Sequence, residues 1–300
     1  MFGLSLVLAM LAAASNAVSS VMQRKANLKY SDDEPLRVRA AGRVIRRPAW
    51  LIGLAAMLLS FALQATALGI GELSAVEPML VIELPLTLLL ASWLFRRGLR
   101  LRDWVGIVGM TVGLGALIGA LAPSGGNVDG ISLTVWLAAT LSTAALIGAL
   151  WLGALLARGR VRSALFGVAA GTGFGLTASL IKADVDVIGT QGVAAVFRTW
   201  QLYAVAVTGV LSLWLVQNAL HSATLVEAQP GITLLDPVIS VLWGVLVFGE
   251  SVNRGPVLAV AVAGAVIVGA SVFMLVRASV LHPQPPPSEA APAPTAGAAR

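Results

Sequence analysis

The sequence predicts an all-α polytopic membrane protein of about nine transmembrane helices, N-terminus outside and C-terminus inside, built as a 4+1+4 inverted repeat. Three observations carry that prediction. Of 300 residues, 58% are hydrophobic and 11% charged, against about 25% charged in a soluble domain. Apolar runs of roughly 20 residues, enough for a helix to cross a hydrocarbon core, recur along nearly the whole chain. The loops between them alternate between basic and neutral, and the second half of the chain echoes the first.

Nine runs qualify as spans: 3–22, 49–70, 74–95, 104–121, 131–156, 163–181, 197–216, 225–248 and 256–276. None shows the ten-residue alternation of a membrane strand. The N-terminal run lacks a basic leader and its charges follow it, so it reads as a retained first span. Lys and Arg set the orientation. The segment 23–48 carries eight, "RRGLRLR" (96–102) four and "RGRVR" (158–162) three, whereas 71–73 and 122–130 carry none. Residues 182–196 read as a further loop, with Lys182 beside Asp184 and Asp186. Trp50, Trp104, Trp136, Trp151 and Trp200 fall near span ends, where interfacial anchors belong.

The transmembrane domain is thus 1–277, with repeat one at 3–121, a linking span at 131–156 and repeat two at 163–276; 278–300 is a Pro/Ala-rich tail expected to be disordered in the cytoplasm. "LRVRAAGRVIRR" (36–47) reads equally as a basic amphipathic helix on the inner leaflet and as a solvated loop. The chain has no cysteine, which excludes disulfides, thiol catalysis and Cys-ligated metals. Its net charge of +6 resides in the loops as an orientation signal, so no nucleic-acid partner is expected.

The echo has a spacing of about 152–157 residues. "LAAASNAVSSVMQRKA" (11–26) aligns with "VAAGTGFGLTASLIKA" (168–183), and "ALGIGELSAVEP" (67–78) with "ALHSATLVEAQP" (219–230). Pro78 and Pro85 are seven apart, as are Pro230 and Pro237. An offset of five spans inverts the second copy, an arrangement that recurs in secondary transporters with midplane sites on interrupted helices. The four prolines are therefore candidate helix breaks, with a packing kink as the plainer reading.

At these residues the chain resembles the drug/metabolite transporter superfamily, of EamA-like type. The resemblance covers roughly 3–276 and rests on phrasing such as "LLDPVISVLWGVLVFGES" followed by a glycine-rich helix. The first copy has Arg97 near the place of Glu250, so the "GE" is intact only at Gly249–Glu250. Nine spans, an outside N-terminus and "RRPAWLIGLAAM" before span two resemble more specifically the magnesium-transporter branch, NIPA. The acid which that branch carries in span two would fall at about Phe61; Gln64 is the nearest polar group.

Ionisable groups inside a span mark a pathway or site by default. Counted from the span ends at ~1.5 Å per residue, Glu83 and Asp236 reach mid-depth, while Glu77 and Glu227 lie nearer the two surfaces. Glu83 and Asp236 are the leading candidates for binding a cation or carrying a coupling proton, with hydrogen bonding to a neighbouring helix as the alternative. Gln64, Asn16 and Thr172 are secondary candidates, open also to a role as interhelical glue. "GVAAGTGFG" (167–175) and the GxxxG pairs 109/113 and 115/119 read as helix-packing surfaces. "GTGFG" lacks the strand and lysine of a phosphate loop.

The expected function is a secondary transporter or exporter of a small solute by alternating access, in the plasma membrane. The alternatives are a divalent-cation (magnesium) carrier using the same acids and a non-transporting scaffold or accessory subunit. No enzyme is expected, since no nucleophile–base set or metal cluster stands out; no cofactor is called for and no metal ligand set is identified. The partners are the lipid bilayer and a small solute or ion, with a homodimer left open.

Overall fold

The structure, a computed structural model, describes residues 2–27, 48–96, 98–222 and 225–277. The basic stretch 36–47, Arg97 and the tail 278–300 lie outside them. The described residues form α1 (Phe2–Asn27), α2 (Pro48–Ile70), α3 (Leu73–Leu80), α4 (Glu83–Phe95), α5 (Leu101–Leu121), α6 (Leu133–Leu156), α7 (Gly159–Gln191), α8 (Trp200–Ser222), α9 (Leu225–Leu246) and α10 (Val257–Val276), with one short turn at Val193–Val196. Taking α3 and α4 as one span, nine helical segments among the described residues are long and apolar enough to cross a membrane. The chain is a multi-pass membrane protein.

Local chemistry explains the ends. Pro48 opens α2 at the first helical position, where its missing N–H costs nothing. Asp103 Oδ2 accepts from the Arg100 N–H at 3.0 Å at the start of α5, and Ser132 Oγ accepts from the Val135 N–H at 3.3 Å at the start of α6. The expected loop at 182–196 begins later than the sequence suggested. Nothing between Gly175 and Gly189 breaks a helix, so α7 carries Lys182, Asp184 and Asp186 on to Gln191 and stops at Gly192, whose φ of 86° and ψ of 165° are open essentially to glycine alone. At ~1.5 Å per residue α7 is about 50 Å long, more than a hydrocarbon core requires.

Of the span-three prolines, Pro78 lies inside α3 without breaking it, and the interruption falls just before Pro85. Pro85 has no N–H to give the Val81 carbonyl, and its ring crowds that carbonyl. Val81 O accepts instead from Leu84 N at 3.2 Å, while Val81 N and Ile82 N donate to Pro78 O and Met79 O, each at 3.2 Å. These bonds of three-residue reach tighten residues 81–82 into a 3₁₀-like joint between α3 and α4. Pro230 and Pro237, in contrast, lie inside a continuous α9.

The helices pair in a matched way. α1 packs on α2 and on the α3–α4 span; α7 packs on α8 and α9; α5 packs on α10. α7 is the most enclosed span and also meets α6. Its Gly167, Gly171 and Gly175 lie against α9 backbone: a methyl on Gly171 would sit 2.7 Å from the carbonyls of Gly231 and Ile232, and one on Gly175 2.7 Å from that of Asp236. Gly113 meets the Gly264 carbonyl in the same manner. Gly115 and Gly119 face open space, so that pair is not a packing surface within the chain. Trp136 is no interfacial anchor either: at 5% exposure it packs against Trp200, Trp243 and Phe248, each with ring centroids 5.8 Å away.

The two ends of the bundle differ. At one, Ser124 and Ser251 exchange backbone hydrogen bonds of 3.0 and 2.8 Å, joining the loops after α5 and α9. At the other are the basic helix ends: Arg102 donates to the Arg277 carbonyl at 2.9 Å, Arg24 lies over the Phe95 ring at 5.7 Å, and Arg160 pairs with Glu227 at 3.4 Å.

Candidate functional site

The joint between α3 and α4 opens onto a cavity of about 320 Å³. Ala13 and Asn16 enter it from α1, Ser60 and Gln64 from α2, and Phe174 from α7. The two proline-bearing spans supply most of the rest, and their contributions correspond. Glu77, Leu80, Val81 and Leu84 line one side; Gln229, Ile232, Thr233 and Asp236, each 152 residues later, line the other, together with Pro237. Glu83 also lines it. Its counterpart at that spacing is Leu235, so Glu83 and Asp236 are neighbours in role without being equivalent positions.

Three carboxylates therefore face one cavity. Two are engaged. Asn16 Nδ2 donates to Glu83 Oε2 at 2.7 Å, with Ser20 Oγ at 3.4 Å from Oε1, and Gln64 Nε2 donates to Glu77 Oε1 at 2.9 Å. Gln229 Nε2 donates to Thr233 Oγ1 at 3.2 Å. The third carboxylate, Asp236, has an oxygen, Oδ1, that is shut off from solvent and lacks a hydrogen-bond partner among the described residues. An orphaned buried acceptor costs about 1–3 kcal/mol, more when charged, and such groups call for a functional reason. No Lys, Arg or His among the described residues lines the cavity.

Glu77, one turn from the start of its span, is buried by protein: Leu73 and Ser74 are fully buried and Glu77 is 2% exposed, because the loop after α9 covers the start of α3. Glu250 makes that cover. Its carboxylate accepts from the backbone N–H of Leu73 at 2.6 Å and of Ser74 at 3.0 Å, and from the Ser74 hydroxyl. An acid at a helix N-terminus meets the unsatisfied N–H groups and the positive end of the dipole. Lys182 does the converse for α2: its Nζ donates to the carbonyls of Leu68 at 3.1 Å and Gly71 at 2.5 Å, the last carbonyls of a helix. The hairpin between α2 and α3 is thus held by a cation from α7 and an anion from the loop after α9. Beside it lies a second, polar cavity of about 150 Å³ lined by Glu72, Asn127, Lys182 and Asp186.

The other sequence candidates fall elsewhere. Thr172 is buried and donates to the Val168 carbonyl of its own helix at 2.9 Å, and it does not line the cavity. Glu227 sits at the basic end with Arg160. Pro78 and Pro230 are buried behind the lining, as is Pro85, at the joint. Lys182, Glu250 and Phe174 had not been candidates. Glu250 was visible only as part of a motif, and Lys182 as a loop charge.

No protein-family profile matches the chain. An uncharacterized protein of Corynebacterium glutamicum is 28% identical over 251 residues, covering 82% of this chain and 85% of that protein. No solved structure matches.

Proposed function

We propose that this protein is a secondary transporter of a small solute working by alternating access, with N-terminus outside, C-terminus inside and an inverted repeat joining its halves. The observation that carries the reading is the cavity: four lining positions of the α3–α4 span recur in α9 at a constant spacing. Inverted-repeat transporters place their sites at this kind of repeat interface, on interrupted helices. The matched helix pairings support the same reading, as does the gathering of basic helix ends at one end of the bundle, the cytoplasmic one under the positive-inside rule.

In this reading the two halves stand in different states. α7 and α9 are closed on one another by glycine contacts, while α1 and α2 meet the α3–α4 span through side chains, Asn16 on Glu83 and Gln64 on Glu77, and the cavity lies among them. Exchange of the two arrangements moves the opening from one face to the other. A scaffold would need neither the interior cavity nor its acids.

Magnesium is the second reading, favoured by the three carboxylates. A hydrated ion held through one or two of them is the form open to it, since no group of three metal-ligating side chains is gathered among the described residues. Proteoliposomes holding the purified chain separate the readings. Saturable flux of an organic solute, lost in Asp236→Asn and without magnesium flux, is expected. Magnesium flux lost in Glu83→Gln and Asp236→Asn would install the second reading, and absence of any solute or ion flux in folded protein would sink both.

A further inference from the structure

The transporter reading leaves its solute unspecified. Resting on that reading, we infer that the cavity takes an organic cation, with Asp236 as its counter-charge and Phe174 as an aromatic wall. Charge is the first reason. Glu77, Glu83 and Asp236 line the cavity and no basic side chain among the described residues does, so the lining offers an anion no favourable charge. A zwitterion such as an amino acid would find no partner for its carboxylate: the buried lysine, Lys182, lines the other cavity and is spent on the carbonyls of α2.

Commitment is the second reason. Glu83 and Glu77 each receive an amide N–H. Asp236 receives none among the described residues, and its Oδ1 is buried without a partner. Of the three carboxylates it is therefore the one left to meet a charge brought by the ligand. Phe174 is the third reason. It lines the cavity from α7, and an aromatic ring attracts an organic cation through its quadrupole. A metal ion would gain little from such a wall and would want a ligand cluster that the described residues do not form. The volume of about 320 Å³ lies at the small end of ligand pockets, about 300–1,000 Å³, which limits the solute to a compact ion.

The test uses three compact aromatic probes that differ in charge: benzyltrimethylammonium, benzenesulfonate and benzyl alcohol. Equilibrium binding to the full chain in nanodiscs is read beside counterflow of each probe in proteoliposomes. Saturable binding of the ammonium alone is expected, weakened at least about tenfold in Asp236→Asn, as loss of about 1.4 kcal/mol requires, and partly kept in Asp236→Glu. Phe174→Leu, which leaves the charges in place, should weaken it about threefold. Absence of ammonium binding, equal binding of the sulfonate, or unchanged affinity in Asp236→Asn would overturn the inference. Counterflow of the alcohol or sulfonate without the ammonium would overturn it and leave the transporter reading standing. Ammonium binding with no counterflow would do the reverse.

Discussion

The α3–α4 span and α9 carry the same proline pair at the same spacing, yet one is broken and the other is continuous. Two residues account for the difference. At the position 152 residues before Gly231 of α9, the α3–α4 span has Met79. Gly231 lets α9 lie directly on α7, where a methyl would come within 2.7 Å of the Val168 nitrogen, and the contact braces the helix through both prolines. Met79 packs on the core through a full side chain instead. At the position 152 residues before Leu235 stands Glu83, an acid in the first turn of α4, which favours a new helix start. Proline permits a break; the neighbouring helix and the local charge decide whether it happens.

The comparison can be broken most severely at Gly231. Gly231→Met puts the α3–α4 span's residue into α9 and should destabilise the protein by about 3 kcal/mol through overpacking against α7, seen as a fall in thermal midpoint in detergent. Met79→Gly, its mirror, should cost about 2 kcal/mol, from lost packing of a half-buried side chain and from glycine's backbone entropy. Next in size is Glu250→Ala, which strips the cap from Leu73 and Ser74. Leaving two buried N–H groups unpaired should cost about 2 kcal/mol, and Glu250→Gln should recover part of it. Smaller in stability but larger in function is Pro85→Ala. It returns an N–H to the Val81 carbonyl, so hydrogen exchange should show a protected amide at residue 85 and counterflow should slow. Stability should change by about 1 kcal/mol or less, because position 85 lies in the first turn of α4. The smallest effect belongs to Gly115→Ala, at a site with nothing within 4 Å: a gain of roughly 0.5 kcal/mol from helix propensity.

Much of this was legible in the sequence, for reasons that also mark where legibility stops. Apolar run length fixes spans, and all nine recur as helices among the described residues. Asn16, Gln64, Glu77, Glu83, Asp236 and Pro237 meet at one cavity because polar groups in spans have few places to go. Thr172 misled because a hydroxyl in a helix is readily satisfied by its own backbone. The extent of α7 was missed because charge was weighed above the absence of breakers after Gly175. Glu250 and Lys182 act on partners 177 and 111 residues away, and no local pattern encodes such pairings. The burial of Glu77 follows from that same cap, since a span that begins beneath a loop starts already buried. Phe174 was hidden in a glycine stretch that invites a packing interpretation, which its neighbours Gly171 and Gly175 do satisfy.

The central claim is that the two proline-bearing spans enclose a path open in turn to both faces of the membrane. The chain has no cysteine, so a single Thr233→Cys variant places one thiol on the cavity wall. Reconstituted in one orientation, it is exposed to a membrane-impermeant thiol reagent on either side. The account predicts labelling from both sides in separate experiments. Labelling from one side alone, or from neither while the unfolded protein reacts fully, would contradict it.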